Sequence, residues 1–230
     1  MIRVLSVKVR GHRRNTDGTQ IYSAIWVDRL HAMIRRNLTA DCRHYCLTDD
    51  PAGIAGWIQP IDISGWWAGV EPAKGWWAKV KLFDQALPFN AGDRLIFSDL
   101  DALIIRPIDG MLAETAHFPL VFAPHTAPNF RPPGTVNLYS SCFMAWDFGH
   151  AARLFEEWTP QIMARLRGDQ DWFGATMPRE AVFAQRYFER VSGCMNKGPR
   201  RDTLIVQCAK PKNHIAAGMA PWVAAAWMGT

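Results

Sequence analysis

The apolar run Leu95-Ile96-Phe97 is followed at once by Ser98-Asp99-Leu100-Asp101, and this junction limits the folds open to the chain. A strand that reads as an unbroken apolar run is buried on both faces, as in parallel sheets covered by helices. Two carboxylates at its end then fall at the carboxyl edge of an open α/β sheet, where ligands of that architecture bind. In extended backbone, residues i and i+2 project to one face, so Asp99 and Asp101 are placed to share a hard cation. Oxygen donors of this kind suit Mg²⁺ or Mn²⁺, which keep positions for water and substrate phosphates.

The rest of the chain supports such a sheet. Residues 2–9 alternate as a first strand, and Ile21, Ile25, Leu30, Met33 and Ile34 recur near a 3.6-residue period, predicting a helix over 21–37. Further strands are predicted over 44–47, 58–63, 94–97, 120–123, 141–146 and 203–206, with helices over 77–87, 151–167 and 180–191. Pro60 confines the strand at 58–63 to a sheet edge. Strands alternating with helices give an α/β class built on a single Rossmann-like, mostly parallel sheet flanked by helices. With no repeat and no linker, the 230 residues read as one domain, 1–230, with 215–230 as a C-terminal tail.

Composition narrows the function classes. At 49% hydrophobic and 20% charged residues, the chain is outside the disordered and low-complexity classes. The net charge of +5 is carried by 19 Arg against 7 Lys, and Arg favours bidentate contact with phosphate. The basic residues are scattered with no long stripe, so the partner is an anionic small molecule and not nucleic acid. Five cysteines without a C-x-x-C pair, and no apolar leader after Met1, point to reduced thiols in a cytoplasmic setting. The uncharged tail is short for a membrane span, which leaves membrane contact at most peripheral.

Three further segments carry chemistry. Trp76-Trp77-Ala78-Lys79-Val80-Lys81 brings cations towards the acidic pair. Gly168-Asp169-Gln170-Asp171-Trp172 offers carboxylates, an amide and a ring, the groups that bind sugar hydroxyls and stack on a sugar face. Eleven tryptophans exceed what a core requires. Trp26, Trp146 and Trp158 read as packing, whereas Trp66, Trp67, Trp76, Trp77 and Trp172 are expected to line a sugar-sized cleft. The third segment, Val206 to His214, ends a strand with Lys210 and Lys212 beside two candidate metal ligands, Cys208 and His214.

These segments, taken in order with Cys46-Leu47-Thr48-Asp49-Asp50-Pro51 and Ser140-Ser141-Cys142-Phe143-Met144, resemble the nucleotide-sugar transferases of the GT-A fold, nearest to the family 8-like retaining glycosyltransferases. The resemblance implies that Asp99 and Asp101 hold Mn²⁺ or Mg²⁺ on a donor diphosphate. It implies that Lys79, Lys210 and Lys212 face that diphosphate, and that Asp169 and Gln170 contact the donor sugar beside the reacting carbon. The donor it implies is a UDP-sugar, and the acceptor a hydroxyl such as that of a glycan. No residue marks itself as a nucleophile; Asp169 and Asp171 are the candidates. The chain departs from the family at two places. Cys208 stands where the family has a metal-ligating His, with His214 six residues later, and Ser140-Ser141 stands where the family has Asn-Ser.

Two other readings compete. One is a non-catalytic nucleotide-sugar or carbohydrate-binding protein on the same fold. The other is a phosphatase of the haloacid-dehalogenase type, with Asp99 as nucleophile.

Overall fold

β1 (Ile2–Lys8) is an inner strand of a seven-stranded sheet, paired in parallel with β2 (Cys42–Thr48) on one side and β4 (Arg94–Ser98), the middle strand, on the other. The computed structural model describes residues 1–10, 22–68, 72–125, 139–208 and 220–229. β3 (Gln59–Asp62) forms an edge beyond β2, with Pro60 opposite Cys46, as the missing proline N–H requires. On the far side, β7 (Ser140–Asp147) runs antiparallel to β4 and to β6 (Leu120–Ala123), and β8 (Ala181–Val182) completes the order β3-β2-β1-β4-β7-β6-β8. A smaller sheet, absent from the sequence expectation, joins β5 (Ala102–Ile104), β10 (Ile205–Gln207) and β9 (Phe188–Arg190).

Alternation along the strands builds two cores. On β4, Ile96 enters one cluster while Leu95 and Phe97 enter the other; on β7, Phe143 and Ala145 oppose Met144 and Trp146 in the same way. The first core is covered by α1 (Ala24–Asn37), whose Val27, Leu30, His31, Met33 and Ile34 are all buried at helical spacing. α8 (Pro221–Met228) docks on α1: Trp227 meets Trp26 edge-on with centroids 4.9 Å apart, and Arg36 donates to the Ala226 carbonyl at 2.9 Å. The second core is covered by a 3₁₀ helix, Pro72–Phe83, and by α6 (Asp169–Thr176), with Trp77, Phe83 and Phe173 fully buried. Short helices α2 (Ser64–Trp67), α3 (Asp109–Glu114), α4 (Arg153–Glu156), α5 (Pro160–Arg165) and α7 (Val191–Cys194) fill the connections. No helix among the described residues is long and apolar enough to cross a membrane.

Three helix expectations are corrected. The segment 77–87 is a 3₁₀ helix that starts earlier and stops at Phe83, where Asp84 turns the chain by accepting from the Ala86 amide at 2.9 Å. The segment 151–167 is two short helices, because Pro160 at the first position of α5 restarts the helix. The segment 180–191 is no α-helix. Ala181 and Val182 pair with β6, the Phe183 amide donates to the Phe122 carbonyl at 3.0 Å, and Phe188–Arg190 pairs with β10. Pairing with exposed sheet edges outweighs a helical pattern whose two largest buried side chains, Phe183 and Phe188, are five apart.

Candidate active site

β4 ends at Ser98, and the next amide, that of Asp99, still donates to the Cys142 carbonyl of β7 at 2.8 Å. The chain then turns, with the Ala102 amide donating to the Asp99 carbonyl at 3.1 Å. Asp99 and Asp101 therefore share one wall of a cavity by way of this turn, not by the extended alternation expected from sequence. The cavity measures about 670 Å³ and opens at the carboxyl end of β1 and β4. It is also lined by Lys79, Asp169, Gln170 and Asp171, by Ser140, and by Cys208, so segments far apart in sequence converge here.

Lys79 is the centre of the charge arrangement. Its ammonium lies 2.7 Å from Asp99 Oδ1 and 3.6 Å from Asp169 Oδ2, and donates to Ser141 Oγ at 3.0 Å. The Ser141 hydroxyl in turn donates to Asp169 Oδ2 at 2.5 Å. Burial opposes the lysine's charge, but Asp169 and Asp99 outweigh it and hold the ammonium above its ordinary range. Ser141 is fully buried beneath these groups and does not line the cavity, so it positions Lys79 and Asp169 instead of meeting a ligand. Lys81 turns away to Asp84 and to the rings of Trp66 and Phe155.

Asp101 makes no ion pair among the described residues; its Oδ2 accepts from the Tyr22 hydroxyl at 3.1 Å. Burial, followed by the charge of Asp99, pushes its pKa up to about 7. Burial likewise raises Asp99, against the pull of Lys79. Asp171 is nearly buried, with Arg167 Nε 3.4 Å from Oδ2 and with Oδ1 lacking a hydrogen-bond partner among the described residues. Burial raises the thiols that border the site. Cys142 is pushed up to about 12, with Asp99 adding to the effect, and Cys208 well above the usual range, with Asp101 adding.

The donor set suits a divalent cation. Two hard carboxylates line the cavity, and burial, followed by the charge of Asp99, disfavours the Asp101 anion, a cost that a bound cation would relieve. Among the described residues no three His, Cys, Asp or Glu side chains are placed to hold an ion together. Ions such as Mg²⁺ need only one or two carboxylates when substrate phosphates complete the shell. Cys208 reaches the cavity but brings a soft sulfur, poorly matched to such an ion. Lys210, Lys212 and His214 lie outside the described residues.

The aromatic expectation divides. Trp76 lines the cavity and lies against Gly168, where a Cβ would stand 3.3 Å from its Nε1. Trp172 does not line it: its Nε1 donates to the Leu154 carbonyl at 3.0 Å and its ring packs on the second core. Trp67 and Trp77 are buried in that core, and Trp66 packs against Trp158. Tyr22 and Lys8, outside every motif, and Gln207, within the segment 206–214 but given no role there, also line the cavity; only the folded chain brings them to Asp101, Asp50 and Cys142.

No protein-family model matches the sequence, and no curated protein matches it. Solved structures do resemble it. The galactosyltransferase LgtC in complex with donor and acceptor sugar analogs superposes with a TM-score of 0.66 at 12% identity, over 99% of this chain and 94% of that one. An active-site mutant of LgtC gives 0.62 at 10% identity, over 91% and 88%. Mouse xyloside xylosyltransferase 1, in its apo form, gives 0.58 at 12% identity, over 90% and 97%. The mostly parallel sheet, its flanking helices and these neighbours agree on one architecture, and the chain has the GT-A glycosyltransferase fold.

Proposed function

We propose that the chain is a glycosyltransferase that moves a sugar from a nucleoside diphosphate donor, a UDP-sugar, to an acceptor hydroxyl, with retention of anomeric configuration. One observation carries the reading: Asp99, Asp101, Lys79 and the Asp169-Gln170-Asp171 run converge on a single cavity at the carboxyl edge of the sheet. Its volume lies within the range of ligand pockets. LgtC, whose fold it shares, has been solved with donor and acceptor sugar analogs.

In this reading Asp99 and Asp101 hold Mn²⁺ or Mg²⁺, which when bound supplies positive charge against the departing diphosphate. Lys79 adds its own charge on the same side, with Lys210 and Lys212 from the segment that follows Cys208. Asp169 and Gln170 hydrogen-bond the donor sugar, and Trp76 offers a flat apolar surface beside them. The acceptor oxygen bonds the anomeric carbon on the face from which the diphosphate departs, and the acceptor's hydroxyl proton passes to the departing diphosphate oxygen. In the two-step alternative, Asp171 is the carboxylate to test as nucleophile, displacing the diphosphate before the acceptor displaces it in turn; Ser140 contacts the donor where the resembling family uses Asn. Retention rests on the likeness to the family 8-like enzymes.

The test is a nucleotide-sugar screen in Mn²⁺. The expected result is UDP binding that the metal strengthens and slow release of UDP from one sugar donor, with the product anomer read by NMR. Binding without any turnover on a broad acceptor set would favour the non-catalytic alternative. Phosphate release from simple monoesters, for which the GT-A fold gives no support, would favour the phosphatase.

A further inference from the structure

Lys79 already occupies the carboxylate that the metal needs. Its ammonium is 2.7 Å from Asp99 Oδ1 and 3.6 Å from Asp169 Oδ2, is nearly closed off from solvent, and rests 5.5 Å from the centroid of the Phe97 ring. An ion entering at Asp99 meets a fixed positive charge on the same carboxylate, in a setting where screening by water is weak. A diphosphate changes the balance, because it gives the ammonium an anionic partner to exchange for Asp99. It also brings oxygens that the metal requires.

We propose that Lys79 acts as an internal cation that holds the acidic pair closed to metal until a nucleoside diphosphate arrives, so that metal and diphosphate bind as a coupled pair. The inference rests on the reading of Asp99 and Asp101 as metal ligands. Lys79 is a positioning residue in this role. It sets Asp99 directly, and Asp169 through Ser141, which receives the lysine's hydrogen bond and passes one to that carboxylate. Coupling of this kind is reciprocal: whatever factor UDP adds to Mn²⁺ affinity, Mn²⁺ adds to UDP affinity.

The experiment titrates Mn²⁺ into the full chain, reading free ion by electron paramagnetic resonance, with and without UDP. For the wild type, Mn²⁺ alone should bind weakly and UDP should tighten it by about tenfold or more. Lys79→Met should bind Mn²⁺ alone about tenfold more tightly than wild type, and the factor that UDP adds should shrink to what the phosphate oxygens alone supply. Lys79→Arg, which keeps a cation, should restore the weak binding. If Lys79→Met does not fold, Lys79→Gln removes the charge and should give the same shift. Mn²⁺ binding to the charge-removing variant no tighter than to wild type, or equal tightening in Lys79→Arg, overturns the coupling while leaving the transferase reading intact. Failure of Mn²⁺ to bind wild type even with UDP overturns both.

Discussion

Tyr22 donates its hydroxyl to Asp101 Oδ2 at 3.1 Å, joining the segment that leads into α1 to the acidic turn after β4. The hydrogen bond favours the ionised carboxylate, against burial and the charge of Asp99, which together leave Asp101 titrating near 7. Tyr22→Phe removes that support, so the pKa rises further and less carboxylate is ionised at neutral pH. Mn²⁺-dependent UDP affinity should weaken several-fold near pH 7 and recover at higher pH. Binding curves across about pH 6–9 read this as an alkaline shift of the acid limb; an unmoved limb argues against Asp101 as a metal ligand.

Asp101→Asn keeps the shape of the side chain and its bond to Tyr22 while removing the charge. UDP binding in Mn²⁺ should fall to the metal-free level, and binding without metal should change little. Calorimetry in Mn²⁺ and in EDTA separates the two; equal losses in both would mean that Asp101 meets the nucleotide without a metal.

Trp76 and Trp172 should part company. Trp172→Ala opens space on the second core and strips the Leu154 carbonyl of its donor, which lowers stability by about 3 kcal/mol. Trp76→Ala removes a cavity wall and should weaken donor affinity with a smaller drop in Tm. Thermal melts beside UDP-sugar binding check the pair, and a Trp76 variant that only lowers Tm would place that ring in the core.

A buried polar chain under α1 predicts acid sensitivity. Ser6 Oγ is 2.9 Å from His31 Nε2, and His31 Nδ1 is 2.8 Å from His44 Nδ1. A hydrogen bond between two ring nitrogens leaves room for only one proton on that line. Burial, then His44, holds His31 far below its ordinary pKa; burial, then Arg35, lowers His44 to about 4. Both rings fold neutral, whereas the unfolded chain takes up protons as pH falls below about 6.5. Stability contributed by the neutral pair is complete above that value and declines towards pH 4, by about 1.4 kcal/mol per pH unit for each extra proton bound on unfolding. Urea midpoints at pH 7.5 and about 5 should differ, and His44→Gln should flatten the trend.

The acidic pair, Lys79 and Asp169 were legible because each sits in a local pattern: an apolar strand running into carboxylates, a lysine among aromatic residues, a glycine opening a short helix. Partnerships made only by folding were not legible. Tyr22 meets Asp101 across a span that no periodicity connects, and Ser141 becomes a buried brace because β7 turns it under Lys79. Trp172 looked like a sugar platform because it adjoins Gln170, yet the turn of α6 sends its ring to Leu154. The segment 180–191 misled for a related reason: its backbone finds partners on β6 and β10, which are far from it in sequence.

The Asp99 amide remains tied to the Cys142 carbonyl where β4 and β7 part. The first carboxylate of the site is thus the last rung of the central ladder, not the first residue of a loop. Its amide proton should exchange with solvent at the pace of the sheet, and the carboxylate is carried on a backbone held by that sheet. A backbone so anchored keeps its place while the partners of the carboxylate change, so the sheet fixes where that charge is offered before any ligand enters.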